Sequence, residues 1–66
     1  MRTYIADCKG FTTGEYRAES DNKAVEHAVA HFTNDFTKGM VEVWDVEADI
    51  LVAATRFATV TIEEGR

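Results

Sequence analysis

Polar and apolar residues alternate in four short segments of the chain, and a segment with a helical period lies in the middle. Residues 2–8 and 11–18 are rich in β-formers, and the dipeptide Lys9-Gly10 between them is typical of a tight hairpin turn. Gly14 in the second segment indicates either a β-bulge or a tighter turn that leaves a shorter strand after it. The start of the chain therefore predicts a β-hairpin with two possible registers.

The segment that follows has the period of an amphipathic helix, with apolar residues at i, i+3, i+4, i+7 and i+11. Its apolar face consists of Val25, Ala28, Val29, Phe32 and Phe36. Any of the polar residues 20–22 can cap its start. Lys38 suits the last turn, and Gly39 suits the left-handed position after the helix. We therefore predict a helix from Asn22 to Thr37.

Two more β-segments follow the predicted helix. Residues 40–46 predict a third strand, residues 47–49 a short turn, and residues 50–57 a fourth strand. The alternation continues over residues 58–62, so the fourth strand either extends or bends there. Residues 63–66 are expected to fray because chain ends have few packing partners.

Two hairpins around one amphipathic helix predict an α+β fold, in which a four-stranded antiparallel sheet carries the helix on one face. The order along the chain is β-β-α-β-β. In the third strand we expect Val41 and Val43 to face inward and Trp44 to lie partly exposed beside Glu42. The other sheet face is open or covered by a second subunit. Four aromatic residues are candidates for that face: Trp44, Tyr4, Tyr16 and Phe57.

Chain length limits the class of function. A chain of 66 residues is one domain, 1–66, and folding at this size buries only about 60% of the surface of the unfolded chain. Such a thin core leaves little room for a supported catalytic cleft. Motifs for a nucleophile or a phosphate-cradling loop are also absent from the sequence. We therefore predict that the protein is not an enzyme and has no catalytic residues.

Cysteine content and hydropathy favour a cytoplasmic protein. Cys8 is the only cysteine, so an intramolecular disulfide is impossible and a reducing compartment is expected. We interpret Cys8 as a small buried hydrophobic residue. No apolar run reaches the roughly 18 residues of a membrane span, and the N-terminus lacks the apolar region of a signal peptide.

Net charge argues against direct nucleic-acid binding. The chain has 12 acidic and 7 basic residues, which gives a net charge of −5, whereas binding to phosphates requires cations. The segment between Gly39 and Thr55 contains four acidic residues and no Lys or Arg. They are Glu42, Asp45, Glu47 and Asp49. Because Val, Trp and Ile lie between them, we expect a rigid array of carboxylates that attracts a basic partner.

Two patterns that resemble metal sites fail at their most specific positions. His27 and His31 are four residues apart, as in helical zinc sites, but the residue after the first histidine is alanine rather than glutamate. We expect both histidines to be exposed. The acids from Asp45 to Asp49 resemble the start of a calcium loop, but Ile50 and Arg56 replace the required glycine and glutamate. We therefore predict no metal and no cofactor.

The segment EYRAESDNKAVEHAVAHF combines a strand that ends in an aromatic-x-Ala-x-Ser/Asp cap with an Ala/Val-rich helix. This layout recurs in small bacterial and phage proteins. Over residues 15–45, the layout and acidity resemble small phage or mobile-element anti-CRISPR proteins that inhibit type I systems. The resemblance implies a short, non-enzymatic inhibitor that presents acidic residues to a basic DNA-binding surface of a Cas subunit. It is a likeness of pattern and carries no residue-level motif.

The sequence thus favours a protein-binding module with Glu42, Asp45, Glu47 and Asp49 as charged contacts and Trp44 as the apolar anchor. Two alternatives remain. The acids can be a solvated strand edge that only prevents edge-to-edge aggregation. Alternatively, the chain is an assembly module that homodimerises through its open sheet face, so the sequence allows a monomer or a homodimer.

Overall fold

A computed structural model describes residues 1–59, which form four strands and one helix in the order β-β-α-β-β. The elements are β1 (Arg2–Cys8), β2 (Phe11–Ala18), α1 (Asp21–Phe32), β3 (Lys38–Asp45) and β4 (Ile50–Ala58). All paired strands are antiparallel, and their spatial order is β2-β1-β3-β4. The predicted α+β fold is therefore confirmed. The predicted extension of β4 beyond residue 59 and the fraying of residues 63–66 lie outside the described residues.

The β1–β2 hairpin turns at Lys9 and Gly10, whose φ angles are 54° and 85°. Positive φ at both central positions gives a two-residue turn whose twist matches that of the strands. Within the hairpin, Ile5 pairs with Glu15 but Asp7 pairs with Thr12, so two residues of β2 oppose one residue of β1. The structure thus selects the β-bulge from the two predicted registers.

Helix α1 begins at Asp21, one residue before the predicted start, and ends earlier than predicted. The Ser20 side chain caps it by accepting a hydrogen bond from the backbone N–H of Lys23 at 3.2 Å. The helix ends at Phe32, five residues before the predicted end, because the sequence Thr-Asn-Asp that follows has low helix propensity and forms a turn. Phe36 still packs against the core from this turn, where its backbone N–H donates to the carbonyl of Phe32 at 2.9 Å. Phe36 therefore has the spacing of a helical core residue but lies outside the helix.

Lys38 and Gly39 were predicted to end the helix, and this prediction is wrong because both residues begin β3. Gly39 is required there for packing rather than for a left-handed conformation. A Cβ atom at this position would lie 2.8 Å from the Sγ atom of Cys8, closer than the two atoms can approach. Because Gly39 has no side chain, the start of β3 can lie close to Cys8 at the end of β1.

The core lies between α1 and one face of the sheet. The fully buried side chains come mainly from the helix and the two central strands. They include Tyr4, Ala6, Cys8, Ala24, Ala28, Phe32, Val41 and Val43. Val41 and Val43 face inward, as predicted, whereas Val25 and Val29 of the predicted helical face only flank the core. Ala24, which the periodicity did not single out, takes a central place because a small residue allows close contact between helix and sheet.

Three of the four aromatic residues expected on the open face lie on the helix side instead. Tyr4 is completely buried, and Tyr16 and Phe57 are half-buried against the core. Side chains alternate between the two faces along each strand, and directly opposed residues of paired strands share a face. The face of each aromatic residue therefore depends on which residue of the neighbouring strand it opposes. Of the four, only Trp44 lies on the face opposite the helix, which we call the helix-free face.

Candidate protein-binding surface

The pleat of β3 separates the predicted site residues. Glu42 and Trp44 alternate with the buried Val43 and therefore point to the helix-free face, where both are half-buried. Asp45 points to the helix side and is 3% exposed. Glu47 and Asp49 are exposed in the turn between β3 and β4. The five residues therefore do not form one surface.

Asp45 is buried and makes hydrogen bonds within the protein. Its carboxylate accepts hydrogen bonds from Nη1 of Arg2 at 2.6 Å and from the backbone N–H of Ala48 at 3.1 Å. The backbone N–H of Asp49 also donates to the carbonyl of Asp45 at 2.7 Å. The hydrogen bond from Ala48, together with that from Arg2, lowers the pKa of Asp45. Asp45 thus shapes the turn and does not contribute to an exposed carboxylate surface.

An apolar row crosses three strands of the helix-free face. Trp44 pairs with Ile5 of β1 on one side and with Leu51 of β4 on the other. Directly opposed residues of antiparallel strands share a face and have Cβ atoms about 5 Å apart. Ile5 and Trp44 are half-buried, while Leu51 is 43% exposed. The apolar row Ile5–Trp44–Leu51 therefore presents contiguous apolar surface with no helix over it.

An acidic pair lies next to the apolar row. Asp7 of β1 is directly opposite Glu42 of β3, two positions along each strand from Ile5 and Trp44. Like charges in this arrangement repel each other and reduce stability. Within residues 1–59, neither carboxylate has a Lys, Arg or His nitrogen within 4.0 Å. The acidic pair Asp7–Glu42 is thus available to a cation from outside the described part of the chain.

Sequence reasoning missed Ile5, Asp7 and Leu51 as neighbours of Trp44. A signal for two of them was present, because Ile5 and Asp7 occupy alternate positions of the first strand and so share a face. Their proximity to Trp44 depends on the pairing of β1 with β3, which joins segments separated by the helix. Leu51 opposes Trp44 only because the register of β4 shifts between Val43 and Trp44.

The two histidines lie on the exposed side of α1, as expected. His27 stacks on the ring of Tyr16, with ring centroids 4.3 Å apart, and His31 meets Phe32 edge-on at 5.0 Å. Among the described residues, no three His, Cys, Asp or Glu side chains come together as a metal site. The contacts of both histidines are therefore with aromatic rings.

No protein-family model, curated protein or solved structure matches the chain, so the properties of the helix-free face are inferred from its own residues. Within residues 1–59, no helix has the length and apolar character needed to cross a membrane. The apolar row is the feature of this face that most resembles the centre of a protein interface, because it combines an aromatic residue with aliphatic neighbours and a charged border.

Proposed function

We propose that this protein is a non-enzymatic binding module that docks its helix-free face on a basic surface of another protein. The observation that supports the proposal is the position of Trp44, which is half-buried at the centre of the apolar row and adjacent to the acidic pair. Binding energy at protein interfaces is concentrated in such aromatic residues, surrounded by contacts that exclude water.

The charge of this region supports a basic partner. The acidic pair borders the apolar row, and Glu47 and Asp49 are exposed in the turn that follows Trp44 by a few residues. A Lys or Arg of the partner placed beside Asp7 and Glu42 would relieve their mutual repulsion. The net charge of −5 would also speed the encounter with a basic surface and make the association sensitive to salt.

A narrower proposal concerns the identity of the partner. The resemblance of residues 15–45 to anti-CRISPR inhibitors of type I systems suggests the basic DNA-binding surface of a Cas subunit. An acidic module on that surface would compete with DNA by occupying the cations that contact phosphates. The protein would then act as an inhibitor without any catalytic step.

The test uses purified type I effector complexes and measures their binding to target DNA in the presence of the protein over a salt series. We expect inhibition that weakens as salt increases. Trp44→Ala should raise the inhibitory concentration about 30-fold, the size of a hot-spot loss. Glu42→Lys should slow association and reduce the dependence on salt.

Glu19→Lys is the matched control for Glu42→Lys, since it makes the same charge reversal at an exposed position between β2 and α1. It should inhibit like the unmodified protein. If Glu19→Lys and Glu42→Lys weakened inhibition equally, the net charge of the protein, rather than the position of Glu42, would explain the effect. Inhibition that persists unchanged in both Trp44→Ala and Glu42→Lys would contradict docking through the helix-free face.

The exposed apolar residues of the same face support a second proposal, namely that two copies of the chain pack through it. Met40 and Leu51 are 41% and 43% exposed, and a dimer would cover them together with Trp44. Light scattering coupled to size-exclusion chromatography tests this at high protein concentration. A dimer that becomes a monomer in Trp44→Lys would support homodimerisation, whereas a strict monomer in the unmodified protein would contradict it.

A further inference from the structure

The fourth strand leaves one edge of the sheet open. Strand β4 lies at the end of the order β2-β1-β3-β4, so within residues 1–59 it pairs only with β3. It has nine residues, no proline and one charged side chain, that of Arg56. Prolines, charges and bulges are the usual features that keep an edge strand from pairing with another chain. Beyond the register shift near Val52, residues 53–58 pair regularly with β3, and we call them the β4 edge.

The opposite edge of the sheet is protected. Strand β2 contains the bulge described above, and Gly14 within it has a φ of 76°. The backbone N–H of Gly14 donates to Oγ1 of Thr12 at 3.2 Å, so this donor is used within β2. Glu15 and Arg17 add charges of both signs. Of the two sheet edges, the β4 edge is therefore the one suited to accept another strand.

The hydrogen bonds to β3 identify the backbone groups that face outward from the β4 edge. The N–H of Thr59 donates to the carbonyl of Thr37 at 2.7 Å, which marks a hydrogen-bonded pair. Such pairs alternate with non-hydrogen-bonded pairs in antiparallel strands. Pairing runs without a shift from Lys38 opposite Ala58 to Val43 opposite Ala53. Residues 54, 56 and 58 therefore direct their N–H and C=O groups away from β3.

Charges of opposite sign lie near each other on the helix-free face without pairing. Arg56 opposes Met40, two positions along β3 from Glu42, so its side chain shares the face of the acidic pair. Within residues 1–59, Arg56 has no carboxylate within 4.0 Å, and the acidic pair has no cation within that distance. One copy of the chain therefore presents both an unpaired cation and unpaired carboxylates, a combination that a second copy can complement.

We propose that two copies of this chain pair antiparallel through their β4 edges, with Thr55 of each copy at the two-fold axis. The two four-stranded sheets then become one sheet of eight strands. Ala54 of one copy opposes Arg56 of the other, and each of these two pairs exchanges two backbone hydrogen bonds. The two Thr55 side chains oppose each other, which is a favourable cross-strand pair.

Charge and strand regularity select this register. An axis at Arg56 would place the two Arg56 side chains opposite each other, and like charges in that position are destabilising. An axis at Ala54 would place Arg56 opposite Val52, where the regular pairing of β4 is interrupted. With the axis at Thr55, Arg56 and the Glu42 of the second copy lie on one face, about 10 Å apart across Ala54. The long side chain of arginine can cross the small alanine to reach the carboxylate, and the symmetry repeats this contact.

Pairing through the β4 edge leaves the apolar row uncovered. The two-fold axis is perpendicular to the joined sheet, so both helices lie on one side and both helix-free faces lie on the other. Trp44 of each copy stays accessible, which distinguishes this dimer from one that packs through the helix-free face. The edge pairing therefore does not depend on the protein-binding proposal.

Sedimentation equilibrium over a series of protein concentrations tests the pairing. The unmodified protein should show a reversible equilibrium between monomer and dimer. Arg56→Glu and Glu42→Arg should each raise the dissociation constant of the dimer about 10-fold, because each converts two attractive contacts into two repulsive ones. A mixture of these two variants should form heterodimers with about the original affinity, because opposite charges are then restored at both contacts.

Amide hydrogen exchange tests whether the β4 edge is the surface involved. The amides of Ala54 and Arg56 face outward in the monomer and are hydrogen-bonded in the dimer, so their protection should increase with protein concentration. Protection that does not change with concentration would overturn the proposal, because the edge would then be covered within one chain, for example by residues 60–66.

Arg17→Glu is the matched control for Arg56→Glu, since it gives the same net charge by reversing an exposed arginine on β2. It should change the dissociation constant less than about two-fold, because distant exposed charges are screened. Trp44→Lys should still dimerise. The proposal is overturned if the unmodified protein stays monomeric at high concentration, if the mixed variants fail to associate, or if Trp44→Lys abolishes a dimer that Arg56→Glu leaves intact.

Discussion

The guanidinium of Arg2 donates a hydrogen bond to the carboxylate of Asp45 at 2.6 Å, and this contact joins the start of β1 to the end of β3. The same carboxylate accepts the backbone N–H of Ala48, which closes the turn that follows. Together the two hydrogen bonds hold the end of β3 against β1. Trp44, the residue before Asp45, is thereby held opposite Ile5.

Stability in acid should depend on Asp45. Its pKa is lowered in the folded state, first by the hydrogen bond from Ala48 and also by Arg2. The carboxylate therefore stabilises the fold fully above the unfolded pKa of about 3.9, and this contribution is lost as pH falls through the lower folded pKa. Urea unfolding between neutral and strongly acidic pH should show this loss. In Asp45→Asn the stability at neutral pH should fall and its acid dependence should flatten.

Asp49→Asn is the control for Asp45→Asn. Asp49 lies in the same turn but is exposed, and asparagine tolerates its positive φ of 59°. The acid dependence of the control should follow that of the unmodified protein. A flattened curve in both variants would show that the charge of the turn, rather than the buried carboxylate, causes the effect.

Both tyrosines should ionise only at high pH. The hydrogen bond that Tyr4 donates to Asp21 at 2.7 Å, together with burial, raises its pKa to about 12, and burial raises the pKa of Tyr16 to about 12. Because these values exceed the unfolded value of about 10, the stability that they contribute is complete below pH 10 and is lost as pH rises towards 12. Near-ultraviolet absorbance against pH measures the ionisation.

Asp21→Ala separates the two tyrosines. It removes the acceptor of Tyr4, so the pKa of Tyr4 should fall towards its ordinary value while that of Tyr16 stays at about 12. Titration in a Tyr16→Phe background assigns the change to Tyr4. A titration curve that Asp21→Ala leaves unaltered would mean that burial alone sets the pKa of Tyr4.

Gly39 and Cys8 should be energetically coupled. A Cβ atom at position 39 would lie 2.8 Å from Sγ of Cys8, so Gly39→Ala should destabilise the fold by about 1–3 kcal/mol, as overpacking does. Removal of the sulfur in Cys8→Ala makes room for the added methyl group. In that background, Gly39→Ala should cost at least about 1 kcal/mol less, as measured by a double-mutant cycle with urea unfolding. Additive effects of the two substitutions would contradict the contact.

Loss of the helix cap should have a moderate and local effect. The Ser20 side chain accepts the N–H of Lys23, so Ser20→Ala should reduce stability by about 1 kcal/mol. Asn22→Ala, an exposed change in the first turn, should have little effect or a slightly stabilising one, because alanine has the higher helix propensity. Equal losses in the two variants would argue against Ser20 as the cap.

Features that depend on neighbouring residues were predictable from the sequence. The Lys9-Gly10 turn needs positive φ, the apolar period of residues 25–32 needs one buried side, and the serine at position 20 can cap only a helix that starts beside it. The end of the helix was less predictable. Phe36 continues the period, but it reaches the core from a turn, and a turn can hold a side chain at a position that mimics the helical spacing.

Patterns along the chain were sufficient to predict an α+β fold with one helix on one sheet face, and they favoured Trp44 on the other face near Glu42. Which residues surround Trp44, and why Asp45 is buried, depends on the pairing of strands that are distant in the sequence. Local preferences act over a few residues, whereas the pairing of β1 with β3 joins residues that are 35 to 41 positions apart in the sequence. That pairing depends on the collective burial of the core, which no short pattern contains.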